Sequence, residues 1–119
     1  MGYAVKRWGS GPERLVLVHG RMSVGTGAFS EQEALARHFT IDVVTRRGYD
    51  DTPATGGVDI VRDAHDVVEV LGDGAHLVGT SMGGVVSMNA AGLRPDLGHS
   101  LTVIEPPAFA LAADMPHVR

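Results

Sequence analysis

Five consecutive residues, Gly79-Thr80-Ser81-Met82-Gly83, set a serine between two glycines in a G-x-S-x-G pattern. A serine hydroxyl attacks a carbonyl only when a base takes its proton and fixed dipoles receive the charge that builds on the carbonyl oxygen. The pentapeptide supplies part of that apparatus if it joins a strand to a helix. A turn made at one residue brings the positions two before and two after the serine against neighbouring backbone, where Gly79 and Gly83 carry no Cβ to clash. Gly84 lets the helix lie closer still. Ser81 would then project from the carboxyl end of a sheet, where α/β folds bind ligands. The Met82 N–H, reinforced by the helix dipole, would face a developing oxyanion. The plainer alternative is a serine that caps a helix after a glycine-rich turn. Context separates the two, because the elbow requires a strand immediately before and a helix immediately after.

Both are predicted. His76-Leu77-Val78 reads as a strand, and Met82 to Leu93 as a buried helix with small or apolar residues on most faces, stopped by Gly92 and Pro95. Leu15-Val16-Leu17-Val18 is a continuous apolar run, the mark of a strand covered on both faces. Tyr3 to Trp8 reads as an edge strand closed by Gly9-Ser10-Gly11-Pro12, and Ile41 to Val44 and Leu101 to Ile104 as further strands. Ser30 and Glu33 match a capping box opening a helix through about Phe39, with Phe29 at the staple position. The clearest helix runs from about Asp59 to Leu71. Ile60, Val61, Ala64, Val67, Val68 and Leu71 form its apolar face, Arg62, Asp63, Asp66 and Glu69 its polar one, with Asp59 as N-cap and Gly72 as C-cap. The fold class expected is α/β, a mostly parallel sheet of about five strands with flanking helices joined by right-handed crossovers.

At 119 residues the chain is one domain at most, 1–119. A net charge of −4 with scattered basic residues argues against a nucleic-acid surface. The absence of cysteine excludes disulfides and thiolate sites. With no apolar run of signal-peptide or membrane-spanning length, the expectation is a cytoplasmic protein without membrane association. Asp63-Ala64-His65-Asp66 is too compact to converge on a metal from one helix face, and no metal site is expected. There is no internal repeat.

Across nearly its whole length the chain resembles the α/β-hydrolase family. Val18-His19-Gly20 resembles the family's HG motif, Arg46-Arg47-Gly48-Tyr49 with Thr52-Pro53 its D-x-R-G-x-G-x-S segment, Gly79 to Gly84 its G-x-S-x-G-G elbow, and Ile104-Glu105-Pro106-Pro107 the end of the next strand. The resemblance implies Ser81 as nucleophile and oxyanion donors at Met82 and in the loop at Arg21 and Met22. It casts His19 as a structural hydrogen bonder beneath that loop, beside Gly20. It further implies hydrolysis of an ester, thioester, lactone or amide of a small-molecule acyl substrate, with no cofactor. Glu105, at the carboxyl end of the strand after the elbow, is the candidate acid, set against a plain strand-end residue. Thr45 stands where the family usually has Asp, Asp50 where it has Gly, and Thr80 where it often has His; the aspartate is expected to strain its turn.

The family normally continues through a lid, further strands, the acid and the histidine, so the chain corresponds to its N-terminal half, a truncated core. After Ser81 only His99 and His117 remain. His99 falls before the last strand, at the end opposite Ser81, and His117 lies in a short tail; His38 and His65 read as helix-surface residues. The expectation is a serine hydrolase with little activity alone. The alternatives are a half-hydrolase completed by self-association or a complementing subunit through its unpaired sheet edge, and a non-catalytic binding protein.

Overall fold

The uninterrupted apolar run sits at the centre of the sheet. The computed structural model describes residues 2–21, 25–50, 52 and 59–107. In it β2 (Glu13–Val18) pairs in parallel with β3 (Phe39–Thr45) on one side and β4 (Ala75–Thr80) on the other. β5 (Gly98–Ile104) extends the parallel set beyond β4, and β1 (Ala4–Trp8) closes the other edge antiparallel to β3. The order β1-β3-β2-β4-β5 is the mostly parallel sheet the sequence predicts, with β5 at one edge.

Both faces of β2 are buried, each by a different layer. Val16 and Val18 join Val44 and Leu77 against Ala64, Val67 and Leu71 of α2 (Ile60–Leu71) and Val86 and Ala90 of α3 (Met82–Leu93). Leu15 and Leu17 point the other way and meet Phe29, Ile41 and Val43, beside the short α1 (Gly25–Ala28). A strand walled on both sides needs no polar alternation, which is why the run reads as it does.

Two expectations change. The helix predicted from a Ser30–Glu33 capping box is a 3₁₀ segment, Ser30–Arg37, whose N-cap is Phe29 and which has no side-chain capping bond. Phe29 is 5% exposed and anchors the entry, while the segment itself buries no residue, so little packing enforces α geometry. The last strand begins at Gly98, three residues earlier than expected, which brings His99 inside it.

The α2 caps agree with the sequence: Asp59 accepts from the Arg62 N–H, and Gly72 ends the helix at φ 57°. Its polar face does not. Asp63 and Asp66 are buried, because the turn after β3 lays Arg46 and Arg47 over them. Across the strands, Asp42 of β3 is held by Arg7 and Arg14 at 2.7 Å each. Burial alone would push that carboxyl up, but the hydrogen bonds and charges of the two guanidinium groups hold it below its ordinary value.

Candidate active site

β4 ends at Thr80, α3 begins at Met82, and the chain turns between them at Ser81 with φ 54° and ψ −126°. A non-glycine residue in that region carries strain of about 1–3 kcal/mol and persists only where its surroundings fix it. Here they do. The Ser81 N–H donates to the Ile104 carbonyl at 2.8 Å, and the Gly84 N–H to the Ser81 carbonyl at 2.8 Å. A Cβ at Gly83 would overlap the Val18 and His19 carbonyls, and one at Gly79 the Gly83 carbonyl. Gly84 keeps α3 close to Val103 and Pro106 at the end of β5. Ser81 occupies the N-cap position, yet its hydroxyl makes no capping bond and the residue is exposed. The plain helix-cap alternative lacks the bond that would define it.

The loop after β2 crosses directly over this turn. A Cβ on Gly20 would lie 2.9 Å from Ser81 Cβ and 3.4 Å from Ser81 Oγ, so only glycine lets the loop pass there. The next residue, Arg21, is exposed beside it; Met22 lies outside the described residues. As the first residue of α3, Met82 has an N–H with no carbonyl a turn below it, which suits it to an incoming oxyanion.

His19 fixes the loop from beneath. It is fully buried, and its Nε2 accepts from the Arg46 N–H at 3.0 Å. The ring proton therefore sits on Nδ1, which donates to the Gly20 carbonyl at 2.7 Å. Burial, with the nearby Arg46 charge, lowers its pKa to about 4, so the ring is neutral near pH 7. With both nitrogens engaged, it has none free to serve as a base.

Arg46 extends the network. Its guanidinium donates to the His19 carbonyl at 3.3 Å, the Gly20 carbonyl at 2.9 Å and Asp63 at 3.0 Å, and lies 4.7 Å from the Tyr49 ring centre. Asp63 uses one carboxylate oxygen in that pair; the other is buried without a partner, and burial pushes the carboxyl above its ordinary pKa. From the sequence Arg46 reads only as part of the segment resembling the family's D-x-R-G-x-G-x-S motif, and Asp63 as the polar face of its helix. Neither carries a local signal of burial; the one available clue was two aspartates at i, i+3 facing two consecutive arginines. Asp50, standing where the family has glycine, adopts φ 52°, the left-handed backbone that glycine would take without strain.

Glu105 follows Ile104 at the carboxyl end of β5, exposed and at φ 50°. The Ile104 carbonyl bonds the Ser81 N–H, so Glu105 belongs to the same end of the sheet. Each described histidine is occupied or lies elsewhere. His38 and His65 are exposed, the first just after the 3₁₀ segment and the second on α2, and His76 and His99 sit near the amino ends of β4 and β5. His117 lies outside the described residues. An apolar cavity of about 300 Å³ opens between α1 and the sheet, lined by Leu15, Leu17, Phe29, Val78, Thr80 and Ile104 among others. Its last two residues stand next to the elbow. Among the described residues, a group that could hold a metal, Glu13, His76 and His99, gathers at the opposite pole.

A serine held at a positive φ between a parallel strand and a helix, under a glycine-bearing loop, defines the α/β-hydrolase architecture. Comparison with known proteins gives the same class: the sequence profile of the alpha/beta hydrolase family matches residues 15–119, and the chain belongs to that family. It is 33% identical over 121 residues to the pimeloyl-acyl-carrier protein methyl ester esterase of Aeromonas hydrophila, covering 99% of this chain and 47% of that protein. The enzyme of the same name from Serratia marcescens is 30% identical over 112 residues, covering 93% and 44%. Among solved structures, an alpha/beta hydrolase from Sphaerobacter thermophilus superposes with a TM-score of 0.76 at 31% identity, covering 94% of this chain and 49% of that one. The chain spans about half the length of the curated relatives it matches. No helix among the described residues is long and apolar enough to cross a membrane.

Proposed function

We propose that this chain carries the nucleophile of a serine hydrolase that cleaves a carboxylic ester, with Ser81 as the attacking residue. The observation that carries the reading is the strained Ser81 turn, whose hydroxyl makes no capping bond and lies beneath the Gly20 loop. In the reaction Ser81 Oγ adds to the carbonyl carbon, and the oxygen's charge is received by N–H groups at Met82 and in the Arg21–Met22 loop. A base takes the Ser81 proton and returns it to the leaving oxygen, so collapse expels the alcohol and leaves an acyl-serine, which water then hydrolyses to the acid and free Ser81. Glu105 is the candidate acid that would orient a histidine. The similarity to methyl ester esterases favours an acyl ester with a small alcohol leaving group; thioesters, lactones and amides share the same carbonyl chemistry.

Such a cycle needs a base. Since both nitrogens of His19 are engaged and His76 and His99 lie at the opposite pole of the sheet, we propose that the chain forms one incomplete hydrolase domain with little turnover alone. Without a base, the oxyanion donors and binding contacts contribute roughly 10³–10⁴-fold over water. A second reading, completion by another copy or another subunit, is favoured by the exposed Leu101 (41%) and Ile104 (49%) on the edge strand β5.

The test is the intact mass of the purified chain after exposure to a fluorophosphonate, with Ser81→Ala as control. One adduct, absent from the control, is expected if Ser81 is activated. No adduct on a folded chain would mean an inert serine, and would leave a truncated hydrolase or a binding protein that keeps the hydrolase fold. Light scattering on the same sample decides between a base within the chain and one from a partner protomer.

A further inference from the structure

At the pole of the sheet opposite Ser81, three potential ligands from three neighbouring strands meet. Glu13 opens β2, His76 is the second residue of β4, and His99 the second of β5. One oxygen or nitrogen from each lies within 4.8 Å of the other two. His76 Nε2 stands 3.0 Å from Glu13 Oε2, and the two imidazole rings are 5.5 Å apart, edge to face. We propose that Glu13, His76 and His99 form a site for one divalent cation of the zinc type, with water as fourth ligand.

Four features support this beyond proximity. The donor set, two imidazoles and a carboxylate, suits a borderline cation such as Zn²⁺ better than Mg²⁺ or Ca²⁺, which take oxygen cages. Bonds near 2.0–2.1 Å in a tetrahedral site set ligands about 3.4 Å apart. Glu13 and His99 are exposed, so their side chains can close the remaining distance without moving the sheet. Ser100, paired with His76 across the strands, holds the other ring nitrogen: its Oγ is 2.8 Å from His76 Nδ1. In the empty site the Glu13 carboxylate calls for a proton on Nε2. With a cation bound, the neutral ring carries its proton on Nδ1 and donates it to Ser100, the outer contact that metal-bound histidines usually make. Finally, Gly74, at φ 128°, clears space for the third ligand, since a Cβ there would fall 2.5 Å from His99 Nε2.

The site is independent of the hydrolase reading. His76 precedes Ser81 by five residues along an extended strand, roughly 16 Å at strand rise, so a cation there cannot reach a carbonyl at the serine. Its effect is mechanical: it ties the edge strand β5 to β4 and the central β2.

The test is Zn²⁺ titration by calorimetry on the untagged full chain at neutral pH, paired with the visible absorption of Co²⁺, which reports four-coordination. One ion per chain at micromolar affinity is expected. His76→Ala and His99→Ala should each weaken it by more than about 100-fold and Ser100→Ala by about 10-fold, with His65→Ala unchanged. Glu13→Gln and His99→Asn, both at exposed positions, replace any variant whose circular dichroism shows unfolding. Absence of binding up to about 1 mM, or binding that survives loss of either histidine, overturns the site and leaves the cluster a hydrogen-bonding group only.

Discussion

Lowering the pH should destabilise the fold through His19, and the amount can be worked from its surroundings. The ring is buried and neutral, and its pKa falls from an ordinary 6.5 to about 4. Between those values the unfolded chain binds a proton that the folded chain refuses, so unfolding becomes easier as pH falls. The contribution is fully present above about pH 6.5 and is lost progressively down to about pH 4. At 1.36 kcal/mol per pKa unit, the shift corresponds to up to about 3 kcal/mol, a large share of a small domain's stability. His19→Gln isolates it: the amide oxygen can still accept from the Arg46 N–H, while the donation to the Gly20 carbonyl is given up. That variant should be less stable at pH 7.5 by about 1–2 kcal/mol, the loss of one buried hydrogen bond. Asp63, whose carboxyl burial pushes up, contributes with the opposite sign, but it is present in both proteins and drops out of the difference. Urea denaturation at half-unit steps from pH 4 to 7.5 measures the comparison. The gap between wild type and variant should narrow or reverse as pH falls through the window. Parallel curves across the whole range would refute the assignment of a buried, neutral His19.

Gly83→Ala should cost about 3 kcal/mol by forcing a methyl group into the Val18 and His19 carbonyls, whereas Gly92→Ala, on the same helix with open space around it, should stabilise by about 0.5–1 kcal/mol; thermal melts of the pair measure both. Ser81→Gly should raise stability by about 1 kcal/mol in urea titrations, since glycine relieves the positive φ, while abolishing any fluorophosphonate adduct. Asp63→Asn should destabilise by at least about 3 kcal/mol, because the Arg46 charge, 1% exposed, loses its carboxylate partner; a change below 1 kcal/mol would mean that the pair is solvated in solution.

The strand-turn-helix at Ser81 was legible because its sterics lie in five consecutive residues. Gly79 and Gly83 are required by the same backbone turn that presents Ser81, so the pattern contains its own structural explanation. The strands were legible for a related reason, since burial on both faces leaves a run such as Leu15 to Val18 without polar interruption. What escaped depends on partners distant in the chain. Helical periodicity marks Asp63 and Asp66 as polar and therefore outward; only the fold brings Arg46 and Arg47 over them and turns a surface stripe into two ion pairs. Ser30 and Glu33 match a capping box, but the burial of Phe29 decides where the segment starts. Glu13, His76 and His99 are scattered through the sequence and share only a register across β2, β4 and β5.

Contacts among the described residues hold the Ser81 conformation. β5 holds the serine N–H, the glycines admit the crossing backbones, and α2 supports the overlying loop through Asp63, Arg46 and His19. Strain of about 1–3 kcal/mol at one residue is tolerable when it is pinned from three directions. None of these contacts requires a general base. The conformation of the serine is therefore separable from the chemistry proposed for it: the turn can form without any base. The two properties should respond to different substitutions. Changes at Gly20 or Gly83 should disturb the fold around the serine, whereas a change at the exposed Glu105 should leave the fold intact.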